Sequence, residues 1–129
     1  MNRILIIDDH LEYSACISEQ ITALYPQVRV TETHNGREGI SLALDDPPDV
    51  ILLDTHMPIM DGYEVARALR ALPKTRAIPL IAMTLSGNEH SKILADLRPL
   101  CEGVLFKPFQ TTQLANIMQR VGIHNLDLG

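Results

Sequence analysis

The chain has 129 residues, 46% hydrophobic and 21% charged, with a formal net charge of -5, which suits one soluble globular domain built on a single core. No cluster of Lys or Arg appears in it, so the basic groove that nucleic acid requires is missing. No apolar stretch approaches the roughly 20 residues that cross a membrane, and the short apolar run at Ile4 ends in two acids instead of a signal-peptide pattern, so the cytoplasm is the expected compartment.

Ile4-Leu5-Ile6-Ile7 reads as a first buried strand, closed by Asp8-Asp9. Tyr13, Ile17, Ile21 and Leu24 recur at helical spacing, and Pro26 ends that helix. Val28 to Thr33 alternates and is rich in β-branched residues, which predicts a strand nearer an edge. His34-Asn35-Gly36 is a turn, and a short helix follows with Ile40, Ala43 and Leu44, stopped by Pro47-Pro48. Val50-Ile51-Leu52-Leu53 then runs straight into Asp54, the pattern of a strand buried on both faces.

Asp61 with Glu64 three residues on reads as a capped helix start, and Val65, Leu69 and Leu72 mark its buried face. After Pro73, Ile78 to Met83 is the fourth strand, ending at Thr84. A weaker helix with Ile93, Leu94 and Leu97 is stopped by Pro99, and Val104-Leu105-Phe106 forms the fifth strand, ending at Lys107-Pro108. Leu114, Ile117, Met118 and Val121 share one face of the last helix, and residues 122–129 are expected to be a loose tail. Cys16 and Cys101 have no CxxC spacing and lie in apolar settings, which predicts buried, reduced thiols. Strands alternating with helices imply an α/β domain with a parallel sheet covered on both faces.

In such a sheet, ligands bind beyond the carboxyl ends of the strands. Asp8, Asp9, Asp54, Thr84 and Lys107 all fall at such ends. Taken singly, each has a plain reading: a strand-end Asp is often a turn former or cap, a lone Thr is structural, and a lone Lys is a solvated charge. Their joint occurrence is what points to a site. Carboxylates about 5 Å apart at an effective dielectric near 20 repel by roughly 3 kcal/mol per pair, a cost that a hard divalent cation relieves. Oxygen ligands with room for water favour magnesium. Lys107 would face a phosphoryl oxygen, Thr84 offers a hydroxyl, and Asp54 is left as a nucleophile able to take the phosphoryl group as an acyl phosphate.

The pieces Ile6-Ile7-Asp8-Asp9-His10, Leu53-Asp54-Thr55-His56-Met57-Pro58-Ile59-Met60-Asp61-Gly62, Thr84 and Lys107-Pro108-Phe109 resemble the receiver domain of two-component response regulators, of the chemotaxis-regulator kind. The resemblance covers residues 1–121 and implies a doubly wound, flavodoxin-like three-layer fold: five parallel strands in the order 2-1-3-4-5 with five helices. It implies that Asp54 is the phosphoacceptor, served by a sensor histidine kinase or a histidine phosphotransfer protein. Asp9, Asp54 and the backbone carbonyl of His56 would ligate magnesium, with Asp8 helping. Thr84 would bind the phosphoryl group, Lys107 would pair with it, and the Lys107-Pro108 peptide would be cis. The first helix around His10, Leu11 and Ser14, with Pro108-Phe109, would dock the donor. The face near the fourth helix, last strand and last helix would meet a downstream partner or output domain. The chain would be a phosphoacceptor with slow autodephosphorylation, not an enzyme in its own right.

Two departures matter. The family's frequent aromatic residue three positions before the lysine is Val104 here, and the small residue that often follows the threonine is Leu85, whose bulk narrows access to the pocket. Phe106 is expected to point the opposite way or inward. His56 reads either as a tuner of phosphoryl lifetime or as a plain loop histidine. His10 reads either as a partner contact or as the start of the first helix. His34, His90 and His124 show no ligand spacing. Three rivals stand beside this reading. An aspartyl-phosphate phosphatase would want a second Asp where His56 stands. A flavin or nucleotide binder would want a Gly- or Ser/Thr-rich cradle after the first strand. A degenerate receiver would act as a phosphorylation-independent interaction module.

Overall fold

The computed structural model describes residues 3–123. Their order is β1 (Arg3–Ile7), α1 (Leu11–Leu24), β2 (Arg29–Thr33), α2 (Gly36–Asp45), β3 (Val50–Asp54), α3 (Gly62–Ala71), β4 (Leu80–Leu85), α4 (Lys92–Leu97), a 3-10 turn (Arg98–Leu100), β5 (Gly103–Lys107) and α5 (Thr111–Arg120). All strand pairings are parallel, and the sheet order is β2-β1-β3-β4-β5, as the resemblance implies.

Parallel strands buried on both faces need apolar residues at every position, and β3 is buried throughout. Alternation then divides the core. Ile4, Ile6, Val50, Leu52, Ile81, Met83 and Leu105 pack under α1 and α5. Leu5, Ile7, Ile51, Leu53, Leu80 and Ala82 pack under α2, α3 and α4. Register places Ile7 beside Leu53, and Asp54 beside Met83. β1 and β3 therefore end within one residue of each other, so Asp8 and Asp54 emerge together, while β4 and β5 run two residues past that level.

Local chemistry sets the boundaries. Asp61 accepts from the Glu64 N–H at 2.9 Å while the Glu64 side chain accepts from the Asp61 N–H at 3.1 Å, the reciprocal cap expected at the start of α3. Pro79 has no N–H to give a ladder, so β4 begins at Leu80, not at the expected Ile78. Pro99 does not simply stop α4. It enters the first turn of the 3-10 segment, where its missing donor costs nothing. Ile123 is buried and its N–H donates to the Met118 carbonyl, so packing runs past the expected tail start at Gly122. Residues 124–129 lie outside those described. Cys16 is exposed, against expectation, because it sits one position off the Ile17–Ile21 stripe of α1. Cys101 is half-buried, and its thiol is pushed up to about 12, first by burial and then by Glu102, so it stays protonated and unreactive.

The loop from β3 to α3 folds tightly over the strand end. Gly62 donates to the Thr55 carbonyl at 2.9 Å, and the Met60 N–H donates to the Pro58 carbonyl at 2.7 Å. Ile59 takes a left-handed backbone (φ 69°) and is almost fully exposed, a strained choice for a β-branched residue. A Cβ on Gly62 would fall 2.6 Å from the Asp54 carbonyl oxygen and 2.9 Å from the Thr55 Cα. Those are backbone atoms with no room to yield. Gly62→Ala is therefore expected to lower unfolding free energy by about 1–3 kcal/mol, read by urea denaturation. An unchanged midpoint would show that the loop relaxes away from the strand.

Candidate functional site

Asp8 follows β1, and its N–H donates to the Thr33 carbonyl at 3.0 Å, which fixes the residue as a continuation of the strand. Asp54 closes β3 and Lys107 closes β5. All three side chains share the face under α1 and α5, because each lies an even number of positions from a residue of that cluster. Lys107 Nζ donates to Asp8 Oδ2 at 2.6 Å and to Asp54 Oδ1 at 3.4 Å. The three side chains are at most 5% exposed. Nζ also stands 4.9 Å from the centroid of the Tyr13 ring, a cation–π contact that the periodicity of α1 did not reveal. Lys107-Pro108 is a cis peptide.

Asp9 turns into the same pocket. Asp9 Oδ1 and Asp54 Oδ2 are buried and have no hydrogen-bond partner among the described residues. With Asp8, Asp9 and Asp54 all ionised, three negative charges face one ammonium. The Asp54 carboxyl is raised to about 8: burial is the largest cause, Lys107 opposes it, and Asp8 and Asp9 add to the rise. A donor set of buried carboxylate oxygens in charge excess is the chemistry of a hard-cation site. His10 completes the rim, with Nδ1 3.2 Å from Asp9 Oδ1 and 3.4 Å from Asp8 Oδ1. The sequence signal for it was only its place directly after the acidic doublet.

Thr84 stands one residue beyond Met83, the register partner of Asp54. Its side chain belongs to the opposite face of the sheet, beyond Leu80 and Ala82. It is buried, and Oγ1 has no partner among the described residues. Its own register partner is Phe106. Phe106 does not point opposite to Val104. Residues two apart in a strand share a face, and both pack on the cluster under α3 and α4. Leu85 is exposed at the end of β4, beside Lys107 in register. His56 is exposed, with Nδ1 2.7 Å from Thr55 Oγ1. His34 is exposed, with Nδ1 3.0 Å from the Asp8 carbonyl.

The expected donor-docking residues divide. His10, Leu11 and Pro108 are exposed. Ser14 is fully buried and Phe109 belongs to the core, so neither offers a docking surface. Ser14 faces the sheet because it lies one turn before Ile17 on α1.

A family model described as the response regulator receiver domain matches residues 4–119. PilH of Pseudomonas aeruginosa is 36% identical over 95 residues, covering 72% of this chain and 75% of PilH. The cyclic di-GMP phosphodiesterase response regulator RpfG of Xanthomonas campestris is 36% identical over 86 residues, covering 67% of this chain but only 23% of RpfG. The chain thus spans less than a quarter of that longer relative. Among solved structures, the receiver domain of the Pseudomonas aeruginosa sensor histidine kinase PA1611, with a magnesium ion coordinated in its active-site cleft, superposes with a TM-score of 0.84 at 29% identity. The match covers 95% of this chain and 98% of that one. Among the described residues, no helix is long and apolar enough to cross a membrane.

A carboxyl whose folded-state pKa lies above its ordinary value makes the folded chain hold an extra proton between the two. Stability then falls as pH rises through that window. For Asp54 the window runs from 3.8 to about 8. In metal-free protein, unfolding free energy is expected to decline across this range. Asp54→Asn should recover on the order of 2 kcal/mol at the alkaline end relative to the acid end. Urea denaturation of both proteins at several pH values measures it. Parallel profiles would contradict the burial effect.

Proposed function

The chain belongs to the response regulator receiver domain family, and from that premise we propose that it is a phosphoryl-accepting signalling switch with Asp54 as the acceptor. The observation that carries this reading is the Asp54 carboxylate itself. It is buried, has one oxygen facing Lys107 and leaves the other without a partner among the described residues. The donor in this reading is a phosphohistidine of a sensor histidine kinase or histidine phosphotransfer protein. A carboxylate oxygen of Asp54 attacks phosphorus. The new O–P bond forms as the donor's P–N bond breaks, and its electron pair stays on the imidazole nitrogen.

The residues present fit a magnesium ion, because oxygen donors converge in charge excess around two orphaned atoms. Asp8, Asp9, Asp54 and the backbone carbonyl of His56 are the proposed ligands. When bound, the ion would supply the positive charge that three carboxylates and an incoming phosphoryl group need. Lys107 holds Asp54 and Asp8 in place and offers its remaining hydrogen-bonding capacity to a phosphoryl oxygen. Thr84, one strand over, offers a hydroxyl donor that is unused among the described residues. Leu85, on the Asp54 face of β4, restricts the approach of water and favours slow autodephosphorylation. His56 sits in the loop where it can tune that rate.

We take the receiver to run through Ile123, which packs on its core, and to work in the cytoplasm, signalling through protein contacts to a downstream partner or output domain. The face formed by α4, β5 and α5 is the proposed output surface. Neither nucleic acid nor membrane is a proposed direct partner. The phosphodiesterase in the name of RpfG is not proposed for this chain, which matches less than a quarter of that protein.

With magnesium and a small phosphodonor such as acetyl phosphate, wild-type protein is expected to gain one phosphoryl group and Asp54→Asn none, read by intact mass. Equal modification of the Asn variant would move the acceptor elsewhere. Lys107→Ala is expected to keep magnesium binding, followed by calorimetric titration, and to lose most of its phosphorylation rate. A loss of magnesium affinity as large as that of Asp9→Ala would show that the lysine and the acids do not have separate roles.

A further inference from the structure

His10 has no part in the phosphoryl chemistry proposed above, yet its ring is held over the pocket. It is the N-cap of α1 with extended backbone and forms no side-chain cap. Its backbone N–H donates to Asp8 Oδ1 at 2.9 Å, which turns the residue back toward β1. Nδ1 then lies 3.2 Å from Asp9 Oδ1, 3.4 Å from Asp8 Oδ1 and 3.8 Å from Asp54 Oδ2.

These approaches are not hydrogen bonds. Asp9 Oδ1 and Asp54 Oδ2 remain unpartnered among the described residues even with Nδ1 so near. The Asp54 side chain is 5% exposed, and its free oxygen faces the imidazole. The lysine occupies the other edge of the pocket, on Asp8 Oδ2 and Asp54 Oδ1. One oxygen of each of these carboxylates is thus held by Lys107 and the other is turned toward His10. A ligand atom from each of Asp8, Asp9, His10 and Asp54 lies within 4.8 Å of the others. Ligands about 2.0–2.2 Å from a tetrahedral ion are separated from one another by about 3.3–3.6 Å. The His10 separations bracket that value.

We propose that His10 makes this pocket a mixed nitrogen–oxygen site that binds a late first-row divalent cation, such as zinc or cobalt, through Nδ1 together with the free carboxylate oxygens. Imidazole suits these ions, whereas magnesium is served by oxygen alone. His10 is a ligand for the borderline ion and a bystander for the hard one. The ring is more than half exposed, so a cation reaches it directly from solvent. Because both ions would use Asp9 and Asp54, the late metal competes with magnesium and holds the acceptor carboxylate out of reaction. The inference rests on the acidic pocket being a cation site, as in the function proposed above.

The test uses the tag-free full chain, with cobalt(II) followed by its visible d–d absorption and zinc and magnesium by calorimetry. Wild type is expected to bind one equivalent of cobalt and zinc. His10→Asn should lose at least about tenfold in affinity for both, the loss that even outer-sphere partners of a metal site produce. Its cobalt spectrum should change, while its magnesium affinity stays within about twofold of wild type. Zinc should slow magnesium-dependent phosphorylation in wild type and do so much less in the variant. Two results overturn the proposal: a cobalt spectrum and affinity indifferent to His10→Asn, or equal losses for zinc and magnesium. If magnesium still supports Asp54 phosphorylation while zinc ignores His10, this inference falls alone. If neither cation binds, the function proposed above falls with it.

Discussion

A single buried ammonium holds the site together. Lys107 reaches Asp8 across 99 positions of sequence and Asp54 across 53, and both contacts are almost dry. A buried charge is tolerated only when paired, and removing one partner leaves the other uncompensated. The parallel register sets Asp8 and Asp54 at one level and Lys107 two positions further along, opposite Leu85, so the long lysine side chain spans the difference. Yet the lysine satisfies only part of the negative charge. Burial, reinforced by Asp8 and Asp9, keeps the Asp54 carboxyl reluctant to ionise, and the uncompensated charge makes the pocket attractive to a cation of suitable size. Stability and reactivity are set against each other in the same few atoms.

The two faces of the sheet divide the work. Asp8, Asp54 and Lys107 project toward α1 and α5. Thr84 projects the other way, next to Phe106 and the small Ala82 and Val104 layer under α3 and α4. A change at Asp54 and a change at Thr84 would thus be felt by different helices. In this chain the aromatic neighbour of Thr84 is its own register partner, and a smaller aliphatic residue lies one pleat deeper. Tyr13 performs a separate task on the first face, where its ring makes a cation–π contact with the lysine.

Much of this was legible in the sequence because parallel strands announce themselves: short, uninterrupted apolar runs that end in polar residues. The capping box of α3 and the acidic strand ends were equally plain. What the sequence hid has physical causes. Ser14 lies on the buried face of α1, where the resemblance implied a docking surface. Phe109 reads as a loop residue but fills the core beneath α5. The Phe106 direction follows from counting by twos, and the count has to start from the strand's own register. Tyr13 reaches Lys107 from the first turn of α1, a contact that linear spacing does not encode. Cys16 shows the reverse error, since an apolar neighbourhood in sequence is not a buried one in space.

Ile59 carries a last consequence. Its side chain is bare to solvent on a segment already pinned by the Met60 and Gly62 amides. A macromolecule that settled over the mouth of the pocket would bury an aliphatic anchor worth roughly 1.5–3 kcal/mol. It would not have to freeze a floppy loop to do so, and that ordering penalty is what usually erodes such a gain. The awkward backbone of one residue thus doubles as prepayment for adhesion at the rim.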